Sequence, residues 1–292
     1  MLNLIKSDLY RITRARGLRG SFWQYSLAIV AAYAAVVALL VFVRTQAYDM
    51  LADGAASPFT SEFPSYTAYL ADMASGIVPL CVCFMVAEHV LQEFKGGYAR
   101  TALSARVGRL SYVLGKVAFA GVLSAVMLLF SIAVITGCAW IGGYTFAQAD
   151  SPVGFLGWLG GYWLNIWALA VLSLVLVYAT RVSPVSYIGA FCFCFGTVSS
   201  LLSGLAFSSG GILRVLQPVR PILETLAAWL PSSSLGNLKF GGGLFWMSPA
   251  DVWGASSQAL TVAPGVQALI AGVIWVAIPA AVVLLIARER DI

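Results

Sequence analysis

FWQYSLAIVAAYAAVVALLVFV, residues 22–43, is an apolar run that contains no charged side chain. About 20 helical residues are enough to cross the hydrocarbon core of a bilayer. A cleavable secretory signal has a shorter apolar region, of roughly 7–15 residues. We therefore expect residues 21–43 to form a first membrane helix that stays in the protein.

The rest of the chain has the same character, with 60% hydrophobic and 10% charged residues and a mean hydropathy of +0.89. It has too little polar surface to coat a soluble domain, so we expect lipid to be its main solvent. The small net charge of +5 does not indicate nucleic-acid binding. The predicted fold is an all-α integral membrane protein, with one six-helix domain over residues 22–292. The further spans are expected at residues 67–91, 112–140, 157–180, 184–207 and 266–287.

The second span is the weakest, because a crossing there must include Asp72 near one end and Glu88 and His89 near the other. Ionisable groups at helix ends reach the headgroup region, so such a span is tolerable. The sequence leaves the roles of these three side chains open.

Residues 1–21 precede the first span and are basic and periodic. Leu2, Ile5, Leu9 and Ile12 form one apolar stripe at spacings of three and four, surrounded by cations. This pattern predicts an amphipathic helix on the inner membrane face. A disordered basic leader is the alternative.

EFKGGYARTALSARVGRLSYVLGK, residues 93–116, joins spans two and three and holds five of the 17 basic residues. Dense positive charge between spans indicates a cytoplasmic loop. We interpret it as a docking surface, in which Gly96 and Gly97 turn the backbone, Tyr98 and Leu103 fill a pocket on a soluble partner, and Arg100 pairs with a carboxylate. The alternative is that its cations only hold the loop at the anionic inner leaflet.

The positions of the basic residues predict the orientation of the chain. With both termini cytoplasmic, 13 Lys and Arg residues lie inside and four lie outside, namely Arg44, Arg214, Arg220 and Lys239. The inverted arrangement would reverse the positive-inside bias. We therefore expect both termini to be cytoplasmic and residues 208–264 to be external.

The external segment 208–264 is too long for a simple turn and is rich in Gly, Pro and Trp. Its apolar pieces predict short or re-entrant helices, which survive at membrane depth only where protein or water satisfies their backbone. We interpret Gly241, Gly242 and Gly243 as part of a gate. A plain external loop remains an equal alternative.

No catalytic or metal-ligating constellation stands out in the sequence, so we expect no enzyme activity and no cofactor in this chain. His89 is the only histidine, and the five cysteines lie in apolar stretches where buried free thiols are expected. The pattern of a P-loop is absent, since Gly115-Lys116 is followed by Val117. Charges are also sparse inside the predicted spans, which disfavours ion-driven transport.

These features together resemble the permease subunits of ABC-2 type ABC transporters. The likeness rests on the basic N-terminus LIKSDLYRITRARG, the first span and the acidic outer loop over residues 44–64, which holds Asp49, Asp53 and Glu62. The six-span plan with its long external segment adds to it. The inner loop is similar to the family's loose motif as well. It has the acid at Glu93, the glycine at Gly97, Arg-x-x-Leu at Arg100–Leu103, the arginine at Arg109 and the lysine that opens the third span at Lys116. The proline that often precedes the arginine is replaced by Arg106-Val107-Gly108, and the coupling loop of importers is missing.

The resemblance implies an exporter in the cytoplasmic (inner) membrane, with two permease chains, identical or different, and two ATPase subunits that bind ATP and Mg²⁺. Its cargo would be an amphiphile such as a peptide, drug or lipid. The alternatives are a self-contained membrane carrier or channel and a membrane-embedded enzyme.

Overall fold

The computed structural model describes residues 2–14, 21–50, 62–98, 108–207, 219–253 and 262–289. Within these ranges the chain is mostly helical, and five helices are long and apolar enough to cross a membrane. They are α2 (Phe22–Met50), α4 (Ile77–Lys95), α5 (Arg109–Gly142), α6 (Pro152–Thr180) and α12 (Pro264–Glu289). The helices α7 (Ser183–Cys194) and α8 (Thr197–Phe207) meet at a 63° bend, and they make a sixth candidate if counted as one broken span.

The remaining described elements are short. Helix α1 (Leu2–Thr13) precedes the first long helix, and α3 (Tyr66–Ala74) precedes α4. The short helices predicted in the segment 208–264 are present as α9 (Arg220–Trp229), α10 (Pro231–Asn237), the 3₁₀ helix η1 (Leu238–Phe245) and α11 (Pro249–Trp253).

The structure corrects the sequence prediction at the second span, which we expected as one helix over residues 67–91. The chain instead forms α3 and α4, separated at Ser75 and Gly76. Gly76 has φ = 82°, a left-handed conformation that a side chain would disfavour and that helical geometry does not allow. The bend between α7 and α8 has the same basis, because Gly196 has φ = 68°.

The prediction of a purely helical fold is also wrong in one detail. Strands β1 (Glu62–Ser65) and β2 (Thr145–Gln148) pair in parallel, with Glu62 opposite Thr145 and Phe63 opposite Phe146. Strands of four residues are too short to show a recognisable alternation of apolar and polar residues in a sequence. Their pairing connects the chain just before α3 to the chain just after α5.

Helix α6 lies at the centre of the bundle and contacts α4, α5, α7, η1 and α12. Of its most apolar stretch 61% is buried within the chain, against 17% for α2 and 22% for α12. The exposed apolar faces of α2 and α12 are therefore the surfaces that lipid or another chain would cover.

Two tryptophans fasten α6 to α5. The indole nitrogens of Trp163 and Trp167 donate to the carbonyl oxygens of Gly121 and Val117, each at 2.9 Å. A Cβ atom at Gly121 would lie only 2.7 Å from the Trp167 ring, so glycine is needed there for the two helices to approach. On the other side of α6, the Asn165 side-chain amide donates to the Ala268 carbonyl of α12 at 2.9 Å.

Candidate functional site

A buried cluster of charged side chains joins α1, α4 and α5 at one end of the bundle. The Lys116 ammonium lies 2.8 Å from Asp8 Oδ1, 2.9 Å from Asp8 Oδ2 and 2.7 Å from a carboxylate oxygen of Glu93. None of these three side chains is more than 4% exposed. Each comes from a different helix, so the ion pairs tie the three helices together.

Arg11 and Tyr112 also bind the Glu93 carboxylate. The Arg11 guanidinium pairs with one carboxylate oxygen, and the Tyr112 hydroxyl donates to the other at 2.6 Å. The Arg11 guanidinium also covers the ring of Tyr98, with its central carbon 4.1 Å from the ring centroid. Helix α1 therefore packs over the first described turn of the inner loop.

His89 is the sixth ionisable group of the cluster, one turn before Glu93 on α4. Its Nε2 lies 3.3 Å from Asp8 Oδ1 and 3.5 Å from Glu93 Oε1, and its ring packs against Phe119. The Nε2 atom makes no hydrogen bond of normal geometry to any described group. Asp8, His89 and Glu93 are close enough to share a metal ion, but the Lys116 ammonium already lies against both carboxylates. An ion-pair network accounts for the cluster better than a metal site does.

The electrostatics of Asp8 show how the cluster offsets the cost of burial. Burial raises the pKa of this carboxyl, but the nearby His89 imidazole and Lys116 ammonium lower it by more, so the pKa lies below its ordinary value of 3.8. A carboxyl whose folded pKa is depressed stabilises the fold fully above its unfolded pKa, and loses that contribution as pH falls through the folded value. At neutral pH Asp8 is therefore ionised and holds α1 in place.

Local sequence explains why these groups meet. Asp8 and Arg11 are three residues apart, so they share one face of α1 beside the buried Ile12. Helix α4 ends at Lys95, and the next two residues are Gly96 and Gly97. Gly97 has φ = 68°, which turns the chain away one helical turn after Glu93. Gly115 of α5 faces Leu4 of α1, since a Cβ atom there would lie 3.7 Å from Leu4 Cβ, an ordinary contact distance.

The predicted docking residues therefore have different environments. Gly96, Gly97 and Tyr98 lie at the surface or partly exposed at the end of α4, and Arg109 is exposed at the start of α5. Glu93 and Lys116 are buried, so in this conformation they support the loop from inside and do not contact a partner. Arg100 and Leu103 lie outside the described residues.

The sequence did not predict a cluster that includes Asp8, Arg11, His89 and Tyr112. One signal was available: Asp8 is the single acid among the basic residues 1–21, and it lies beside the apolar stripe of α1. Glu88, the neighbour of His89, has a separate partner, because it accepts a hydrogen bond from the Tyr25 hydroxyl of α2 at 2.9 Å.

The glycines of the predicted gate belong to a second polar junction, at the other end of the bundle. The Thr67 amide donates to Asp150 at 2.8 Å and its hydroxyl bonds to the same carboxylate, while the Gly242 amide donates to the Thr67 hydroxyl oxygen at 2.7 Å. This ties α3, the turn before α6 and η1 together. A recess of about 490 Å³ lies beside the junction, lined in part by Phe240, Gly243 and Trp246.

The three glycines are not equivalent. Gly241 has φ = 68°, and a Cβ atom there would lie 2.5 Å from Thr67 Oγ1. A Cβ atom at Gly242 would lie 2.8 Å from the backbone of Gly154, whereas one at Gly243 would meet nothing within 4 Å. Asp72, whose role the sequence left open, lies nearby on α3, 3.8 Å from the ammonium of Lys239.

No model of a known protein family matches this chain, and no curated protein does either.

Replacing Lys116 by methionine should destabilise the protein strongly. Lys116→Met leaves two buried carboxylates with one arginine, and removing one partner of a buried ion pair costs about 3–5 kcal/mol. Thermal unfolding of the purified protein in detergent measures the effect. Lys95→Met is the matched control, since Lys95 is exposed and its ammonium donates to Ser183 Oγ among the described residues. Adding Asp8→Asn to Lys116→Met restores the charge balance and should recover part of the loss. Equal melting temperatures for Lys116→Met and Lys95→Met would contradict the buried network.

Replacing Gly241 by alanine should loosen the second junction, whereas Gly243→Ala should leave it intact. The added methyl must displace Thr67 or distort a left-handed backbone, which costs on the order of 1–3 kcal/mol. Proteolysis of the segment 220–253 in native membranes, compared between the two variants, measures the loosening. Identical cleavage rates would mean that the Gly241 contact does not hold the segment.

Proposed function

We propose that this chain is the transmembrane permease subunit of an ATP-driven exporter of the ABC-2 type. The proposal includes six spans, with α7 and α8 as one broken span, cytoplasmic termini and α1 lying at the inner membrane surface. The cation distribution supports this orientation, since 13 of 17 basic residues then lie inside. The buried ion cluster then lies at the cytoplasmic end, and the Thr67–Asp150–Gly242 junction at the external end.

The observation that carries the proposal is the attachment of the inner loop at both of its ends to one buried cluster. Glu93 lies in the last turn of the helix that leads into the loop, and Lys116 lies two turns into the helix that follows it. Both bind Asp8 or Arg11 of α1. Because the loop is anchored to three helices, a push on it moves them together instead of deforming the loop.

A permease without a nucleotide site must receive mechanical work from a partner, and the anchored inner loop is where the partner would apply it. The sequence has no P-loop, so two ATPase subunits would bind the ATP and Mg²⁺, dock on residues 93–116 and drive a pair of permease chains, identical or different. The exposed apolar faces of α2 and α12 favour an amphiphilic cargo that reaches the protein from the bilayer. On this proposal the chain itself is not an enzyme.

One observation favours a second function, a proton-coupled carrier that works without an ATPase. Buried ionisable side chains in membrane proteins often form proton pathways, and Asp8, His89 and Glu93 are such a group. Transport by the purified chain in liposomes under a pH gradient would support this alternative. Transport that requires a copurified ATPase and ATP would support the exporter.

The loop variant Tyr98→Ala with Leu103→Ala should lose its ATPase. Each buried aromatic or leucine anchor contributes about 2 kcal/mol or more at such interfaces, so the loss of either one weakens binding about 30-fold or more. Copurification of the ATPase from membranes with the tagged chain measures this. Tyr10→Ala is the control, because Tyr10 is an exposed tyrosine of α1 at the same end of the bundle. Retention of the ATPase by the double variant would overturn the docking role of the loop.

A further inference from the structure

Helix α4 is buried on every side but one over most of its length. From residue 77 to residue 92 the side chains that are at least partly exposed are Ile77, Leu80, Phe84, Glu88 and Gln92, and all the others are buried. Spacings of three and four residues place these five in one stripe along the helix, about 22 Å long. Glu88 is the charged member of the stripe.

The helices around α4 leave this stripe uncovered. Helix α2 packs on α5, α5 on α6 and α6 on α7, and all four contact α4. Among the described residues α2 and α7 make no comparable contact with each other, so the ring of helices is open between them. The Tyr25 hydroxyl of α2 binds Glu88 at 2.9 Å, and the Tyr187 ring of α7 packs on Phe84 with the centroids 5.1 Å apart. The stripe is therefore the floor of a groove between α2 and α7.

The Glu88 carboxylate gives this groove a negative charge without a cation to balance it. Its hydrogen-bond partners among the described residues are neutral, the Tyr25 hydroxyl and the Gln92 side-chain amide at 3.4 Å. The carboxylates of Asp8 and Glu93, by contrast, are paired with Lys116. Glu88 lies about 7 Å before Glu93 along the helix axis, towards the middle of the bundle. Ionisable groups at membrane depth commonly mark the path of a substrate or ion.

We propose that this groove binds a cationic amphiphile, a compound with one ammonium group and an apolar tail, as the cargo of the exporter. The ammonium group pairs with Glu88 beside the Phe84 ring, whose face attracts a cation. The tail lies along Phe84, Leu80 and Ile77, which follow one another towards the other end of α4. The order of charge and apolar surface matches an amphiphile that enters from the inner leaflet. The inference names the substrate class and rests on the proposed function for the orientation of the groove.

Native mass spectrometry of the purified chain in a neutral detergent, titrated with dodecyltrimethylammonium, tests the groove. We expect one molecule to bind more tightly than the rest, with no equivalent for dodecyl sulfate. Glu88→Gln keeps the size of the side chain and an acceptor for Tyr25 but removes the charge. It should weaken the binding about ten-fold, between the effects of an exposed and a buried ion pair. Glu289→Gln removes an exposed acid from the last turn of α12 and is the matched control, with unchanged binding.

Four results would each overturn the inference. Unchanged binding in Glu88→Gln would show that the carboxylate does not hold the cation. An equal loss in Glu289→Gln would mean that overall charge attracts the amphiphile. Displacement by an equal concentration of tetramethylammonium would show that the apolar stripe contributes nothing, and displacement by phosphatidylethanolamine would identify a lipid site. The titration uses neither ATP nor an ATPase, so these failures are distinguishable from failure of the exporter proposal, which copurification of the ATPase tests.

Discussion

A buried ammonium group must have anionic partners at contact distance, and the buried Lys116 carries such a group in this chain. Its two partners, Asp8 and Glu93, come from an N-terminal helix and from the helix before the inner loop. Removing either partner would leave a charge without compensation in a low-dielectric interior. Helix α1 is therefore held by ion pairs to the bundle itself. The position of α1 in turn places Arg11 over Tyr98 and brings Leu4 against Gly115.

The two ends of the bundle are fastened in different ways. One end uses full charges, and the other uses the Thr67 hydroxyl, one carboxylate and glycine backbone at close contact. Between them the helices pack through apolar surface and a few indole and amide hydrogen bonds to backbone, as at Trp163, Trp167 and Asn165. In the proposed exporter, the charged end receives force from the ATPases and the hydroxyl end opens. The hydroxyl end also contains charge-assisted hydrogen bonds, because the Asp150 carboxylate accepts from the amide and the hydroxyl of Thr67.

The sequence predicted the long helices well, because a run of apolar residues of membrane length has few other stable conformations. It predicted their interruptions poorly. The break at Gly76 depends on one left-handed glycine, and the strand pair joins residues more than 80 positions apart. The loop motif includes Glu93 and Lys116, but a loop pattern does not show which members face inward. Their burial depends on Asp8, whose distance from them in the chain gave no signal of contact.

Cross-linking α1 to α5 tests the buried network most directly. A Cβ atom at Gly115 lies 3.7 Å from Leu4 Cβ, within the range for a disulfide. In a variant without the five natural cysteines, Leu4→Cys with Gly115→Cys should form a disulfide rapidly under mild oxidation in native membranes, as detected by mass spectrometry of the linked peptides. Adding Asp8→Asn should slow the reaction several-fold, because α1 then loses its hold on Lys116. Absence of the disulfide, or an unchanged rate with Asp8→Asn, would contradict the account.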